Sequence, residues 1–366
     1  MTPLSGPPPT TEPLVPSNVP ISTSIPVPEG ISVVSAVDFG TATTTIDRRP
    51  WSVRRTSNLD SLIEGTSFPS PVEISGAARD LRTGRDGVPL VLSAATMSAS
   101  LDRNHTLLEL RTTPAVDVGS LVGRPVGRGF RSLLDATAPA ERDARTPLYL
   151  LLDELPVMLV ISGYSTQYTA AHPGMTEAGP LKRDICSGWR SGGLMMNELD
   201  AGRAVPITIG PPTRRLEPVD DPHGWHAMDD LAPGAMRRRR LLDVRHLDAA
   251  GSGASRNSAG WTFNAYFRDS YRPSLAEPEI VLHEYELVGT LDAAGAVVTS
   301  ATALPRVLPW NECPHAAASA SWIVGHRVDA IKALVRDRFR GTDTCTHLND
   351  LVRSLGDLGA LVEQLR

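Results

Sequence analysis

The sequence is poor in cysteine and in aromatic residues. It contains 3 cysteines in 366 residues, and its aromatic content is 5%. A small, odd number of cysteines in a long chain excludes the disulfide framework of small secreted domains. It suits a reducing compartment, so we expect a cytoplasmic protein.

Long hydrophobic runs are also missing. The best candidate, residues 148–161, is interrupted by Asp153, Glu154 and Pro156 and is too short and too polar to span a bilayer. The N-terminus lacks a basic region followed by an apolar stretch, so no secretory signal is visible. We therefore expect no membrane partner, and we interpret residues 148–161 as two buried strands around a turn at 153–156.

The charge balance and the absent motifs exclude further classes. With 36 Lys and Arg against 41 Asp and Glu, the net charge is −5, which gives no reason to expect a nucleic-acid partner. Residues 123–131 contain Gly-x-Gly but neither the full dinucleotide fingerprint nor the P-loop lysine, so no nucleotide cofactor is predicted. No Gly-x-Ser-x-Gly or His-Glu-x-x-His motif occurs.

The composition divides the chain into four regions. Residues 1–30 are dense in Pro, Ser and Thr, which predicts a disordered tail that could dock a protein partner. Residues 31–216 read as a β-rich domain, and residues 217–279 as a polar connecting region with a loop and a strand. Residues 280–366 read as a β-hairpin followed by helices. The predicted fold class is α+β, with the large β-rich region packed on the C-terminal unit.

Individual elements follow from periodicity and turn residues. Predicted strands cover residues 31–37, 71–74, 88–92, 107–110, 149–152, 280–291 and 296–303. Predicted helices cover residues 129–136, 314–324, 328–339 and 346–365, the last from leucines at helical spacing. Residues 84–87 are typical of a hairpin loop, and no internal repeat of fixed period is visible.

A Cys-x-His sequence occurs twice, each time at a predicted helix start. The copies are Cys313-Pro314-His315 and Cys345-Thr346-His347. Pro314 is placed like a first-turn proline, which makes Cys313 the expected N-cap. Helix N-termini favour a thiolate, the form of cysteine that binds metals and attacks electrophiles. The sequence therefore directs attention to the space between these two helix starts.

Several short motifs lie between residue 78 and the last helix. They are Ala78-Arg79-Asp80-Leu81, Leu150-Leu151-Leu152-Asp153, Cys186-Ser187-Gly188-Trp189-Arg190, Phe267-Arg268-Asp269-Ser270, His283-Glu284-Tyr285, Leu308-Pro309-Trp310-Asn311-Glu312-Cys313-Pro314 and Thr344-Cys345-Thr346-His347-Leu348-Asn349-Asp350. Together they resemble a bacterial family known as domain of unknown function 2889, from residue 31 to the C-terminus. That label implies no activity.

The segment from His283 onward also resembles the scaffold proteins of iron–sulfur cluster assembly. Those proteins have a metal ligand on a strand, then a hairpin, a cysteine before a small-residue helix, and a cysteine opening the last helix. Their third cysteine has no counterpart beside Leu282. The resemblance therefore implies a mononuclear site in which His283, Cys313 and Cys345 bind zinc or iron. Glu284, His315 and His347 would orient these ligands by hydrogen bonds.

Two other interpretations of the cysteines stay open. Cys313 or Cys345 could be the nucleophile of an acyl or thioester hydrolase, activated by its helix terminus and a nearby histidine. Alternatively, both are small hydrophobic residues in the core of a non-catalytic accessory or scaffold protein. Cys186 taken alone is typical of a buried core residue.

A run of four arginines, Arg237, Arg238, Arg239 and Arg240, precedes an apolar stretch. One interpretation is a strand whose arginines face solvent or pair with acids. The other is an anion site, because arginine binds phosphate or carboxylate with two parallel hydrogen bonds. A small anionic substrate is thus a candidate ligand.

Two further patterns have structural interpretations. His223 and His226 lie in a predicted turn near Asp229 and Asp230. Arg79-Asp80 and Arg268-Asp269 are interpreted as structural ion pairs.

Overall fold

The computed structural model describes residues 32–40, 47–63, 70–167, 183–216, 220–247 and 260–366. These residues form a large antiparallel sheet with helices, which confirms the predicted α+β class. The predicted tail, residues 1–30, lies outside the described residues.

The strands and helices have the following bounds. The strands are β1 Val33–Ser35, β2 Val37–Asp38, β3 Ser52–Ile63, β4 Val72–Thr83, β5 Pro89–Leu101, β6 Leu107–Thr113, β7 Ile207–Ile209, β8 Met236–His246, β9 Trp261–Tyr271, β10 Ile280–Leu291 and β11 Val298–Leu308. The α-helices are α1 Phe130–Thr137, α2 Pro139–Ala144, α3 Pro147–Asp153, α4 Leu155–Gln167, α5 Leu194–Asp200, α6 Ile331–Arg338, α7 Thr346–Ser354 and α8 Leu358–Glu363. Short 3₁₀ segments are Gly119–Leu121, Ser187–Trp189, Cys313–Ile323, Val328–Ala330 and Leu355–Asp357.

Within the described ranges, nine strands form one sheet in the order β2-β11-β10-β9-β8-β3-β4-β5-β6, and β1 and β7 pair in parallel. Strands β8 and β9 come from the predicted connecting region and stand near the centre of the sheet. The three regions that the composition separates after residue 30 therefore contribute to one sheet.

Two four-stranded meanders, β3–β6 and β8–β11, share one plan. In the first, Asp80 is opposite Ser93 on the next strand, and a register shift adjoins this pair. In the second, Asp269 is opposite His283 with a register shift at the same place. Each meander also has a shift at its last strand pair. The structure thus repeats a four-stranded unit with the same register shifts, although the sequence shows no repeat of fixed period.

The two faces of the sheet differ. On one, which we call the helix face, Phe263 and Phe267 of β9 share a core with Leu348, Leu351 and Leu355 of the C-terminal helices. A second core on this face joins β4 and β5 to α3 and α4. On the other, which we call the loop face, Leu241 and Tyr266 pack against Trp225 of a loop. Alternate residues of a strand reach opposite faces, so β8 and β9 serve both.

The prediction of two strands in residues 148–161, including 149–152, is wrong. This segment forms α3 and α4. Thr146 caps α3 by accepting a hydrogen bond from the Tyr149 backbone N–H at 3.1 Å, and Pro147 and Pro156 occupy first turns, where proline is tolerated. Because the leucines of α3 are buried all round, the segment lacks a helical period, and periodicity cannot separate it from buried strands.

Most other predicted elements are confirmed. The structure contains the helix at 129–136 as α1, the loop at 84–87 between β4 and β5, and the C-terminal hairpin as β10 and β11. The helix predicted at 314–324 is largely 3₁₀, and the one at 346–365 is broken into α7, a 3₁₀ turn and α8.

Among the described residues, no single helix has the length and hydropathy needed to cross a membrane. Helices α3 and α4 meet that criterion only as a pair, bent by 51°.

Candidate metal site

Three metal-ligating side chains meet on the helix face. Asp269 on β9 and His283 on β10 are opposite each other in the strand register, and so they project from the same face. His347 is the second residue of α7, which packs on β9 and β10. The hairpin and the last helix therefore bring together residues far apart in the chain.

The geometry of this cluster is compact. The His283 and His347 rings stack with centroids 3.7 Å apart and planes 19° apart. His283 Nδ1 lies 3.5 Å from Asp269 Oδ2. One ligand atom from each of the three residues lies within 4.8 Å of the others. The side chain of Asp269 is fully buried, whereas that of His283 is 14% exposed, so the cluster lies near the surface.

The charges around the cluster favour metal-binding protonation states. Burial alone would raise the pKa of Asp269, but Arg238 outweighs it and holds that pKa well below its usual range. Arg238 donates to both carboxylate oxygens, at 2.6 and 2.8 Å. Burial and the neighbouring His283 lower the pKa of His347 well below its ordinary value. A carboxylate and a neutral imidazole are the forms that bind metals.

A buried network of charges holds α7 over the sheet. Asp350 lies three residues after His347, on the same helix face. Its carboxylate accepts from Arg238 at 2.8 Å and also from Arg240, which pairs in turn with Glu154. Burial raises the pKa of Glu154 to about 7. These contacts fix the first turn of α7 and so the position of His347.

The three cysteines lie close to one another, and Cys345 contacts the cluster. Cys345 is the N-cap of α7, which agrees with a helix start at this Cys-x-His copy, and its Sγ is 4.0 Å from His347 Nδ1. Cys313 is the first residue of its 3₁₀ segment, so the expectation that it is the N-cap is wrong by one residue. The backbone N–H of Ser187 donates to Thr344 O at 2.8 Å, which places Cys186 next to Cys345.

The thiols are buried, and burial decides their chemistry. Cys186, Cys313 and Cys345 are 6%, 5% and 4% exposed. Burial raises the pKa of Cys345 to about 12, although the backbone N–H groups of Leu348 and His347 act in the opposite direction. Burial also raises the pKa of Cys313 well above its ordinary value. The thiolate expected at these helix starts is therefore not favoured, because desolvation outweighs the helix-terminus effect.

The part of the chain that contains the cluster matches a known protein family. Residues 238–360, which we call the DUF2889 segment, match the DUF2889 family model. The family is described as "Protein of unknown function (DUF2889)". The match includes the Asp269–His283–His347 cluster but excludes the first meander, so the resemblance expected from residue 31 is supported only for the DUF2889 segment. No curated protein and no solved structure matches the chain significantly.

Two residues expected to orient ligands lie elsewhere. Glu284, adjacent to His283 in the DUF2889 segment, points to the loop face, where Arg268 donates to its oxygens at 3.2 and 3.3 Å. His315 is exposed. His347, by contrast, was expected to orient ligands and lies within the cluster itself.

The four arginines at 237–240 do not form one surface. They alternate along β8, so Arg238 and Arg240 face the helices, where carboxylates occupy both. Arg237 and Arg239 face the other side of the sheet. Arg237 donates from Nε and Nη2 to the two carboxylate oxygens of Asp60, at 2.7 and 2.6 Å. No arginine of this run on the helix face is available for an anionic substrate at the His283–His347 cluster.

Asp269 is the cluster residue that sequence reasoning assigned to a different role. It reads as the ion-pair partner of Arg268 because the two are adjacent, but adjacent strand residues face opposite sides. The actual partners are Arg238 for Asp269, and Arg55 for Asp80 in the first meander. The sequence signal that could have indicated Asp269 is an Arg-Asp pair on one strand followed by a histidine on the next strand. Ser93 takes the place of His283 in the first meander, which therefore lacks that imidazole.

Proposed function

We propose that the DUF2889 segment binds one divalent metal ion, zinc or iron, through Asp269, His283 and His347. The observation that carries this proposal is the state of His283 Nδ1. This atom is buried and makes no hydrogen bond of good geometry with the described residues; its nearest carboxylate oxygen, Asp269 Oδ2, is 3.5 Å away. Buried nitrogen atoms normally have partners, and a cation bound by both groups would supply one.

The donor set fits these metals. Zinc binds imidazole and carboxylate, and two histidines with one carboxylate also hold ferrous iron in many oxygenases. Arg238 occupies one lone pair on each oxygen of Asp269, which leaves lone pairs for a metal. Three protein ligands leave coordination positions open, so a bound ion would supply a Lewis acid to water or a substrate.

The cysteines enter this proposal as neighbours. Cys345 lies 4.0 Å from His347 Nδ1, close enough to contact that ring, while its raised pKa supports a neutral thiol. The set of His283, Cys313 and Cys345 remains a distinct prediction, which the experiment below separates from this one. Burial of the thiols supports the packing interpretation over the thiol nucleophile. Three free cysteines agree with a cytoplasmic protein.

The test is elemental analysis of protein purified without added metal. We expect near-stoichiometric zinc or iron in the wild type and its loss in His347→Ala and in Asp269→Asn. The matched control is His315→Ala, which removes an exposed histidine of the other Cys-x-His copy and should keep the metal. Folding of each variant is checked by circular dichroism.

A double variant, Cys313→Ser with Cys345→Ser, separates the two ligand sets. Under the proposal it retains the metal. If it loses the metal while a folded His347→Ala retains it, the ligands are His283 and the two cysteines, and the proposal is wrong. Absence of metal from the wild type, even after incubation with Zn²⁺ or Fe²⁺, would also refute it.

A further inference from the structure

A cleft of about 800 Å³ opens on the loop face, away from the proposed metal site. Arg79 of β4 and Arg237 and Arg239 of β8 belong to its floor, and the loop carrying Trp225 and His226 forms one wall. This volume falls within the range of small-molecule sites. The anion site expected from the arginine run can therefore be sought here instead.

The cleft is lined by five arginines and five acidic residues. Some of these charged groups have ion-pair partners among the described residues and others do not. Asp221 is neutralised by Arg48, which donates to its two oxygens at 3.0 Å each. Asp229 and Asp230 are exposed, where solvent screens them. Glu277 and Glu279 also line the cleft, so its arginines and acids are equal in number, and the positive charges of Arg79, Arg237 and Arg239 act together around His226.

Arg79 is the cation that stands out in this interior. It forms no ion pair with the described residues within 4.0 Å, and its Nη2 donates to the backbone carbonyl of His223 at 2.7 Å. Burial, followed by the like charge of Arg54, lowers the pKa of Arg79. A guanidinium held among like charges gains more than a paired one from an incoming anion.

Two N–H donors in the cleft residues also lack acceptors. Arg79 Nε and Trp225 Nε1 are buried and have no hydrogen-bond partner among the described residues. Their neighbour His226 supplies no acceptor, because Thr56 and Asn58 engage its two ring nitrogens at 2.9 and 2.8 Å. The wall therefore has a surplus of donors, and the ligand that complements it is rich in acceptors.

We infer that this cleft binds a small molecule through an oxyanion group, phosphate or carboxylate, held by Arg79 and Trp225. The exposed carboxylates of Asp229 and Asp230 disfavour long polyanions and admit a compact ligand. The inference is independent of the proposed metal site, which lies on the other face of the sheet.

The test is isothermal titration calorimetry of the full chain at low ionic strength with inorganic phosphate, pyrophosphate and citrate. We expect at least one of these probes to bind at millimolar concentration or below. Arg79→Gln should weaken that binding about tenfold or more, because it removes a charge-assisted hydrogen bond. The control Arg82→Gln removes an exposed arginine of the same strand and should leave the affinity unchanged.

Trp225→Phe removes the indole N–H and keeps an aromatic ring at this position. It too should weaken binding, and it provides a second variant in case Arg79→Gln does not fold. Preference for pyrophosphate over citrate would identify a phosphate ligand, and the reverse a carboxylate ligand. Binding of none of the three probes, or equal affinity in wild type, Arg79→Gln and Trp225→Phe, would overturn the inference. His347→Ala should bind the anion normally, so failure of the metal proposal is distinguishable.

Discussion

The imidazole rings of His283 and His347 stack face to face, with centroids 3.7 Å apart. Two protonated rings at this distance would repel strongly in a partly buried site. The neutral state of His347 removes that repulsion. A metal bound by the pair would therefore not have to displace a proton from His347.

The first prediction concerns the charge network that fixes α7. Asp350→Asn leaves Arg238 and Arg240 without one of their shared carboxylates, and breaking a buried pair costs about 3–5 kcal/mol. We expect a decrease of about 3 kcal/mol in the free energy of unfolding, measured by urea denaturation. The matched control is Asp337→Asn, whose partner Arg336 is exposed, and its effect should be far smaller than that of Asp350→Asn. Equal effects of the two variants would show that the network contributes no stability.

The second prediction concerns thiol reactivity. Since all three cysteines are buried and burial raises their pKa values, we expect Ellman's reagent to react slowly with the native protein and rapidly after unfolding. Ser321→Cys, which places a thiol at an exposed position, is the positive control and should react at once. Rapid labelling of a native cysteine would revive the nucleophile hypothesis.

Several parts of the fold follow from sequence because their signal is local. The leucines of α7 and α8 recur at helical spacing, and the 293–295 turn marks the hairpin. Residues 148–161 have no such signal, since a segment buried on all sides loses its amphipathic period. Its helical state depends on the Thr146 cap and on packing against the sheet.

The candidate site was only partly predictable for a related reason. His283 and His347 are recognisable from the motifs that contain them, but their stacking requires α7 to lie over β10. Asp269 is hidden by its neighbour Arg268, because sequence adjacency suggests a pairing that strand geometry forbids. Cys186 comes next to Cys345 because the backbone N–H of its neighbour Ser187 donates to Thr344 O, a contact that no local sequence pattern predicts.

The third prediction concerns the core that supports the site. Leu351 of α7 is fully buried against the second meander. Leu351→Ala should lower the free energy of unfolding by about 2–5 kcal/mol, since it removes buried methyl groups and leaves a cavity. Leu90→Ala on β5, where the leucine is 50% exposed, is the matched control with an expected effect below about 1 kcal/mol. Chemical denaturation of both variants measures the two effects. Equal decreases in the free energy of unfolding for Leu351→Ala and Leu90→Ala would contradict tight packing around Leu351.

The fourth prediction concerns pH and His226. Burial, together with the positive charge of Arg79, lowers the pKa of His226 to about 3 in the folded protein. In the unfolded chain the ordinary value is about 6.5. Between these values the unfolded state binds a proton that the folded state does not, so stability falls as the pH is lowered. The contribution of His226 is fully present above the unfolded pKa and decreases by about 1.4 kcal/mol per pH unit below it.

His226→Gln removes this titration, so its free energy of unfolding should decline less steeply than that of the wild type between pH 6 and pH 4. The measurement is urea denaturation at a series of pH values, with the difference in slope as the quantity compared. His315→Gln, which replaces an exposed histidine, should follow the wild-type profile. Parallel profiles for wild type and His226→Gln would mean that the folded protein accommodates a charged imidazole at this buried position beside Arg79.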